Sequence, residues 1–125
     1  MGLINEITTG VQSPSTTGAI TGSLDTSAIT GDFTLKVRVT ALTAGKVAKV
    51  AIEDTAHATP FSEALPVVTL DLTGPINAEK NFSFRKYELP SIRIGAANNK
   101  LRGNVLSCTS TPGLSIQIWL EQSAS

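Results

Sequence analysis

Phe33-Thr34-Leu35-Lys36-Val37-Arg38-Val39-Thr40-Ala41 is the stretch that decides the fold. Phe33, Leu35, Val37, Val39 and Ala41 are apolar, and Thr34, Lys36, Arg38 and Thr40 between them are polar. Successive side chains of a strand point to opposite faces, so this period of two predicts a strand with one buried and one wet face.

The same pattern repeats downstream. Ala44-Gly45 reads as a turn. Ala48, Val50 and Ile52 then alternate with Lys49, Ala51 and Glu53. Residues 54–64 read as a loop containing Pro60. Val68, Leu70 and Leu72 follow, set against Val67, Thr69, Asp71 and Thr73, and Gly74-Pro75 ends that run. Asn81 to Leu89 places Phe82 and Phe84 on one face and Arg85 and Tyr87 on the other, until Pro90 interrupts. Ile92 and Ile94 make a short fifth run, stopped by Gly95. Leu101 to Thr109 is the sixth, with Cys108 sharing a face with Arg102, Asn104 and Leu106. After Thr111-Pro112-Gly113, the last run sets Leu114, Ile116, Ile118 and Leu120 inward and Ser115, Gln117, Trp119 and Glu121 outward.

No amphipathic helix of useful length competes with these strands. About seven short strands, each with one solvated face, predict an all-β domain. The expected architecture is a single antiparallel β-sandwich of immunoglobulin-like or jelly-roll type with an extended N-terminal arm. At 125 residues one domain is expected, and a globule of this size buries enough surface to need no disulfide or metal.

The arm is marked by composition. Residues 1–31 hold seven Thr, four Ser and five Gly, with no Lys, no Arg and no aromatic residue. Their charges are Glu6 and Asp25, a balance of −2, against ten bases and eight acids in residues 32–125. Apolar residues nonetheless recur there, and Ala19-Ile20-Thr21-Gly22 returns as Ala28-Ile29-Thr30-Gly31. Isolated Ile between Thr and Gly suits short extended segments that add to a sheet edge, each Ile filling a pocket. The holder of the arm is left open between its own body, a neighbouring subunit and another protein. We read 1–31 as arm and 32–125 as sandwich, with Leu3, Ile4, Ile7, Ile20, Leu24 and Ile29 as candidate partner-binding residues. On this reading, removal of residues 1–31 leaves a folded body.

Charge and motifs narrow the function. Charged residues make up 16% of the chain, against about 25% in an average soluble domain, and the net charge is zero. That balance speaks against direct nucleic-acid binding. Six of the ten bases fall between Lys80 and Arg102, with Phe82, Phe84 and Tyr87 among them. Charges and aromatics so mixed can form a single-strand platform. The alternation instead puts the two Phe in the core and leaves a solvated basic face. No run of about 20 apolar residues exists, so no membrane span is expected. The first six residues lack the basic and apolar regions of a secretory signal.

Nucleophilic catalysis needs a base beside the nucleophile. His57 is the single His, in a loop, and Cys108 the single Cys, in a distant strand. Neither these nor the scattered acids assemble a usual zinc or calcium set, and no phosphate-binding glycine motif is present. No catalytic residue, metal or cofactor is therefore expected. Arg85, Tyr87 and Trp119 are candidate surface contacts. An outward Trp can stack on a sugar or anchor a protein interface, and it becomes core if the strand is covered.

In length, Thr/Ser/Gly/Ala content, scarcity of Cys and β-pattern, the chain resembles small virion proteins of tailed bacteriophages, notably head-decoration (cement) proteins. The resemblance runs from Met1-Gly2-Leu3-Ile4 through Phe33–Leu42 to Leu114–Glu121, and it assigns no residue a role. It implies a non-enzymatic virion protein, made in the host cytoplasm, that binds the major capsid protein or another virion subunit. It also implies a homo-oligomer, dimer or trimer, at the capsid surface. In that setting Ile7, Ile20 and Ile29 would be apolar pegs crossing a neighbour. A carbohydrate-binding module using Trp119, or another tail or fibre component, is the alternative.

Overall fold

A computed structural model describes residues 3–55, 65–90, 92 and 99–122. Among the described residues nine strands run in order: β1 (Leu3–Glu6), β2 (Gly18–Ala19), β3 (Leu24–Asp25), β4 (Phe33–Ala41), β5 (Val47–Asp54), β6 (Leu65–Thr73), β7 (Lys80–Arg85), β8 (Lys100–Cys108) and β9 (Ser115–Gln122). They form two antiparallel sheets. One is four-stranded, ordered β1-β9-β4-β7; the other is five-stranded, ordered β2-β8-β5-β6, with β3 also pairing β8. The protein is an all-β sandwich.

The alternation of β4 and β9 holds as the sequence predicts. Phe33, Leu35, Val37 and Val39 are buried, as are Leu114, Ile116, Ile118 and Leu120. They pack against Val50, Ile52, Leu101 and Val105 of the other sheet in one hydrophobic core. Phe82 and Phe84 of β7 pack half-buried against the same core, opposite Val37 and Leu35.

The register shifts in three places, one of them in the β5–β6 pair between Ile52 and Glu53. The β4–β9 register shifts between Val39 and Ala41, so Leu42 rather than Ala41 enters the core. The β5–β8 register shifts between Lys49 and Val50, skipping Leu106. An extra residue on one strand reverses every later side chain. Cys108 therefore does not share a face with Arg102 and Asn104; it packs, partly buried, against the core. Glu53, expected outward on β5, is buried, and its carboxylate accepts from Arg102 Nε and Asn104 Nδ2, both at 3.0 Å. The fourth run stops at Arg85, where Lys86–Glu88 make a single 3₁₀ turn and Glu88 accepts from the Arg85 N–H. His57, Pro60, Arg93, Ile94 and Gly95 lie outside the described residues.

The largest departure concerns residues 3–31, which are built into the sandwich. β1 pairs with β9, and β2 and β3 pair with β8, so this one segment closes the same side of both sheets. Thr9 N–H donates to Thr21 O and Ile20 N–H to Gly103 O, which carries the chain from one sheet to the other. Ile7, Ile20 and Ile29 fill the seam and are core residues, 1%, 3% and 6% exposed. They are not free pegs for a neighbour, because apolar side chains lose most water contact by entering the nearest gap, and that gap is in their own fold. A Cβ on Gly103 would stand 2.9 Å from Ile118 Cδ1 and 3.0 Å from Ile20 Cδ1, so glycine there admits Ile20 between the sheets.

Buried polar side chains complete the seam. Gln122 Nε2 donates to Asn5 Oδ1 (2.6 Å) and Ala28 O (2.9 Å), and its Oε1 accepts from Thr30 N–H (2.9 Å). Thr8, fully buried, accepts from Ile118 N–H at 3.0 Å and donates to Gly10 O at 2.8 Å. Asp25 caps the turn Thr26–Ala28. Hydrogen bonds from the Ser27 backbone N–H and then its side chain hold the Asp25 carboxyl below its ordinary value. Removing residues 1–31 would strip these partners and leave β8 and β9 each with one unpaired edge.

Thr8→Val keeps the shape but orphans the Ile118 N–H. It is expected to cost about 1–3 kcal/mol in urea unfolding, while Thr9→Val, at an exposed site, stays within about 0.5 kcal/mol. Equal stability of the two variants would contradict the role given to Thr8.

Candidate functional site

The inner face of the four-stranded sheet is core, so its outer face is what the fold presents. Strand register sets the rows on it. One row is Glu6, Trp119, Lys36 and Ser83; the next is Ile4, Glu121, Thr34 and Arg85. A third joins Gln117, Arg38 and Asn81. Side chains at such directly opposed positions are close enough to interact.

Trp119 is at the centre. Its ring is half-buried on the outer side of β9. The Arg38 guanidinium sits 5.1 Å from the ring centroid, and the indole Nε1–H donates to Glu121 Oε2 at 2.9 Å. Arg38 is itself held by an ion pair, its Nε 2.6 Å from Glu79 Oε1. The aromatic ring is thus fixed by a chain of partners, Glu79 to Arg38 to Trp119 to Glu121. Each link is partly exposed and contributes modestly.

Two depressions flank this chain. One, of about 360 Å³, is lined by Ile4, Glu6, Arg38, Gln117, Trp119 and Glu121. The other, of about 510 Å³, lies between Asp32, Thr34, Arg85, Tyr87 and Glu121. Glu121 stands on the wall between them. Ile4 and Tyr87, one on each side, are 68% and 75% exposed.

The outcome for the sequence candidates is mixed. Arg85, Tyr87 and Trp119 come together around this face. Ile4 joins them from β1, whereas Ile7, Ile20 and Ile29 are core and Leu24 packs partly buried against it. Leu3 pairs with Gln122 in β1. Glu6, Lys36, Arg38 and Glu121 also belong to the face and escape a reading of the sequence. Their outward phase is legible, but that β1, β9, β4 and β7 are neighbours is not.

The charges divide by strand. Glu6 and Glu121 lie on β1 and β9, and Lys36, Arg38 and Arg85 on β4 and β7. Among the described residues no three His, Cys, Asp or Glu side chains are grouped to hold a metal ion, and no helix is long and apolar enough to cross a membrane. Donors, acceptors and two aromatic rings are what the face offers, which is equipment for recognition. No protein-family model, curated protein or solved structure matches the chain.

Trp119 is the single Trp, so its fluorescence reports this site alone. Arg38→Ala is expected to shift its emission to longer wavelength while changing stability by about 1 kcal/mol or less. An unchanged spectrum would contradict the stacking.

Proposed function

We propose that this sandwich, of the immunoglobulin-like or jelly-roll type expected from its strand runs, is a non-enzymatic structural subunit. It attaches to a larger assembly through the outer face of its four-stranded sheet. The resemblance to phage head-decoration proteins makes a capsid shell the assembly that suits it, with the major capsid protein or another virion subunit as partner. The site of attachment moves from the N-terminal segment, which is spent on the fold, to the face carrying Trp119.

One observation carries this reading: a tryptophan contacted by Arg38 and hydrogen-bonded to Glu121, between exposed Ile4 and Tyr87. Rigid aromatic and arginine anchors surrounded by polar groups are the residues that dominate protein interfaces. A small subunit repeated over a lattice needs only weak individual contacts, because many copies act together. The same observation disfavours a sugar platform. Arg38 already occupies one ring face, and the indole N–H is already bonded.

Purified protein mixed with particles from its source is expected to sediment with them. Trp119→Ala should weaken that binding at least about tenfold without unfolding the protein. Undiminished binding by the variant would overturn the reading, and so would a Trp119-dependent signal on a glycan array.

A further inference from the structure

We infer that this face also pairs with the same face of a second copy, about a two-fold axis parallel to the strands and running between β4 and β9. The inference rests on the face being an interaction surface, and it names one partner that surface fits.

The charge layout carries it. Within the strands, the outward acidic side chains lie on β1 and β9 and the basic ones on β4 and β7, so the face is split along a line parallel to the strands, with Glu79, paired to Arg38, and Asp32, beside Arg85, offsetting part of the basic half. A closed dimer needs a self-complementary patch. Only two kinds of in-plane axis bring the face onto itself squarely. An axis across the strands lays β9 on β9 and β4 on β4, acid against acid and base against base. An axis along the strands lays β9 on β4 and β1 on β7, so each acidic half meets a basic half. Like charges brought together cost several kcal/mol, which selects the second.

This axis leaves no freedom to slide along the strands, because it preserves height. Residues that share a row therefore oppose one another across the interface. Trp119 meets Lys36 of the second copy, since the two already share a row. Gln117 meets Arg38, and Ile4 meets Arg85. Glu121 meets Thr34, with Lys36 and Arg85 of the second copy on either side of it. The apolar parts of the Lys and Arg side chains would cover the ring and Ile4 while their heads reach the carboxylates.

The size of the patch sets the strength. β1, β9, β4 and β7 hold four, eight, nine and six residues, which at about 3.3 Å per residue and about 4.8 Å between strands offer roughly 430 Å² per copy. The total, about 860 Å², falls below the roughly 1,000 Å² of a stable specific interface and in the range of weak, transient contacts. A weak, salt-sensitive dimer is expected, with a Kd in the micromolar range.

The test is a pair of charge reversals read by sedimentation velocity. The wild type should pass from monomer to dimer as its concentration rises. Lys36→Glu and Glu121→Lys should each weaken self-association at least about tenfold. Mixed together, the two variants should recover a dimer near wild-type strength, because in the mixed pair both symmetric contacts again join opposite charges. Should either reversal fail to fold, Lys36→Gln and Glu121→Gln give the graded form, each with a smaller loss. A wild type that stays monomeric at millimolar concentration would overturn the inference. So would reversals that dimerise as well as wild type, or a mixture that stays monomeric. None of these touches the attachment reading, which fails if Trp119→Ala still binds particles or if a glycan array gives a Trp119-dependent signal.

Discussion

The pairing of β9 on both of its edges is the constraint on which the rest of the molecule depends. On one side it is bonded to β4 over eight positions, and on the other to β1 over four. A strand held on both edges has one register, and its side chains have one assignment to faces. Ile116, Ile118 and Leu120 are thereby committed to the core, and Gln117, Trp119 and Glu121 to the outer face. Past β1, the Thr8 hydroxyl takes the Ile118 N–H, and Gln12 then pairs with Ile116, so this edge of β9 leaves no buried donor unpaired there.

From that strand the functional surface follows. The ring of Trp119 can be held by Arg38 because β4 and β9 are neighbours, and Ile4 can flank it because β1 lies on the other side. The segregation of acids from bases is likewise a product of strand order. Glu6 and Glu121 come from opposite ends of the sequence, yet β1–β9 pairing stacks them on one side of the face. The zero net charge of the chain hides a surface with two oppositely charged halves. Such a surface keeps the molecule from sticking indiscriminately while leaving one orientation of partner favoured.

How much of this was legible in the sequence depended on period and distance. β4 and β9 were readable because nine and eight residues alternate with few exceptions. Phase failed at the bulges, where one extra residue sent Leu42 inward instead of Ala41 and turned Cys108 toward the core; no local feature of either stretch marks the insertion. The spaced Ile residues of the first 31 positions read as sheet-edge material, but composition could not say whose edge. The answer lay in Gln122 and Gly103, a buried amide and a missing side chain some 80 to 120 residues away, which gather Asn5, Ala28 and Thr30 and make room for Ile20. Arg85, Tyr87 and Trp119 were readable as outward residues. Their meeting on one face, and the part played by Arg38 and Glu121, required the strand order.

The most direct test of the Trp119 face as an interface is whether a second copy docks on it. The indole N–H of Trp119 gives one proton resonance at the middle of that face, and it can be followed by NMR as the protein is concentrated from micromolar to millimolar. The account predicts a progressive shift of that resonance, accompanied by the amides of β1, β4 and β9 and reversed by high salt. An indole resonance that stays fixed while amides elsewhere on the sandwich move, or while none moves, would contradict it.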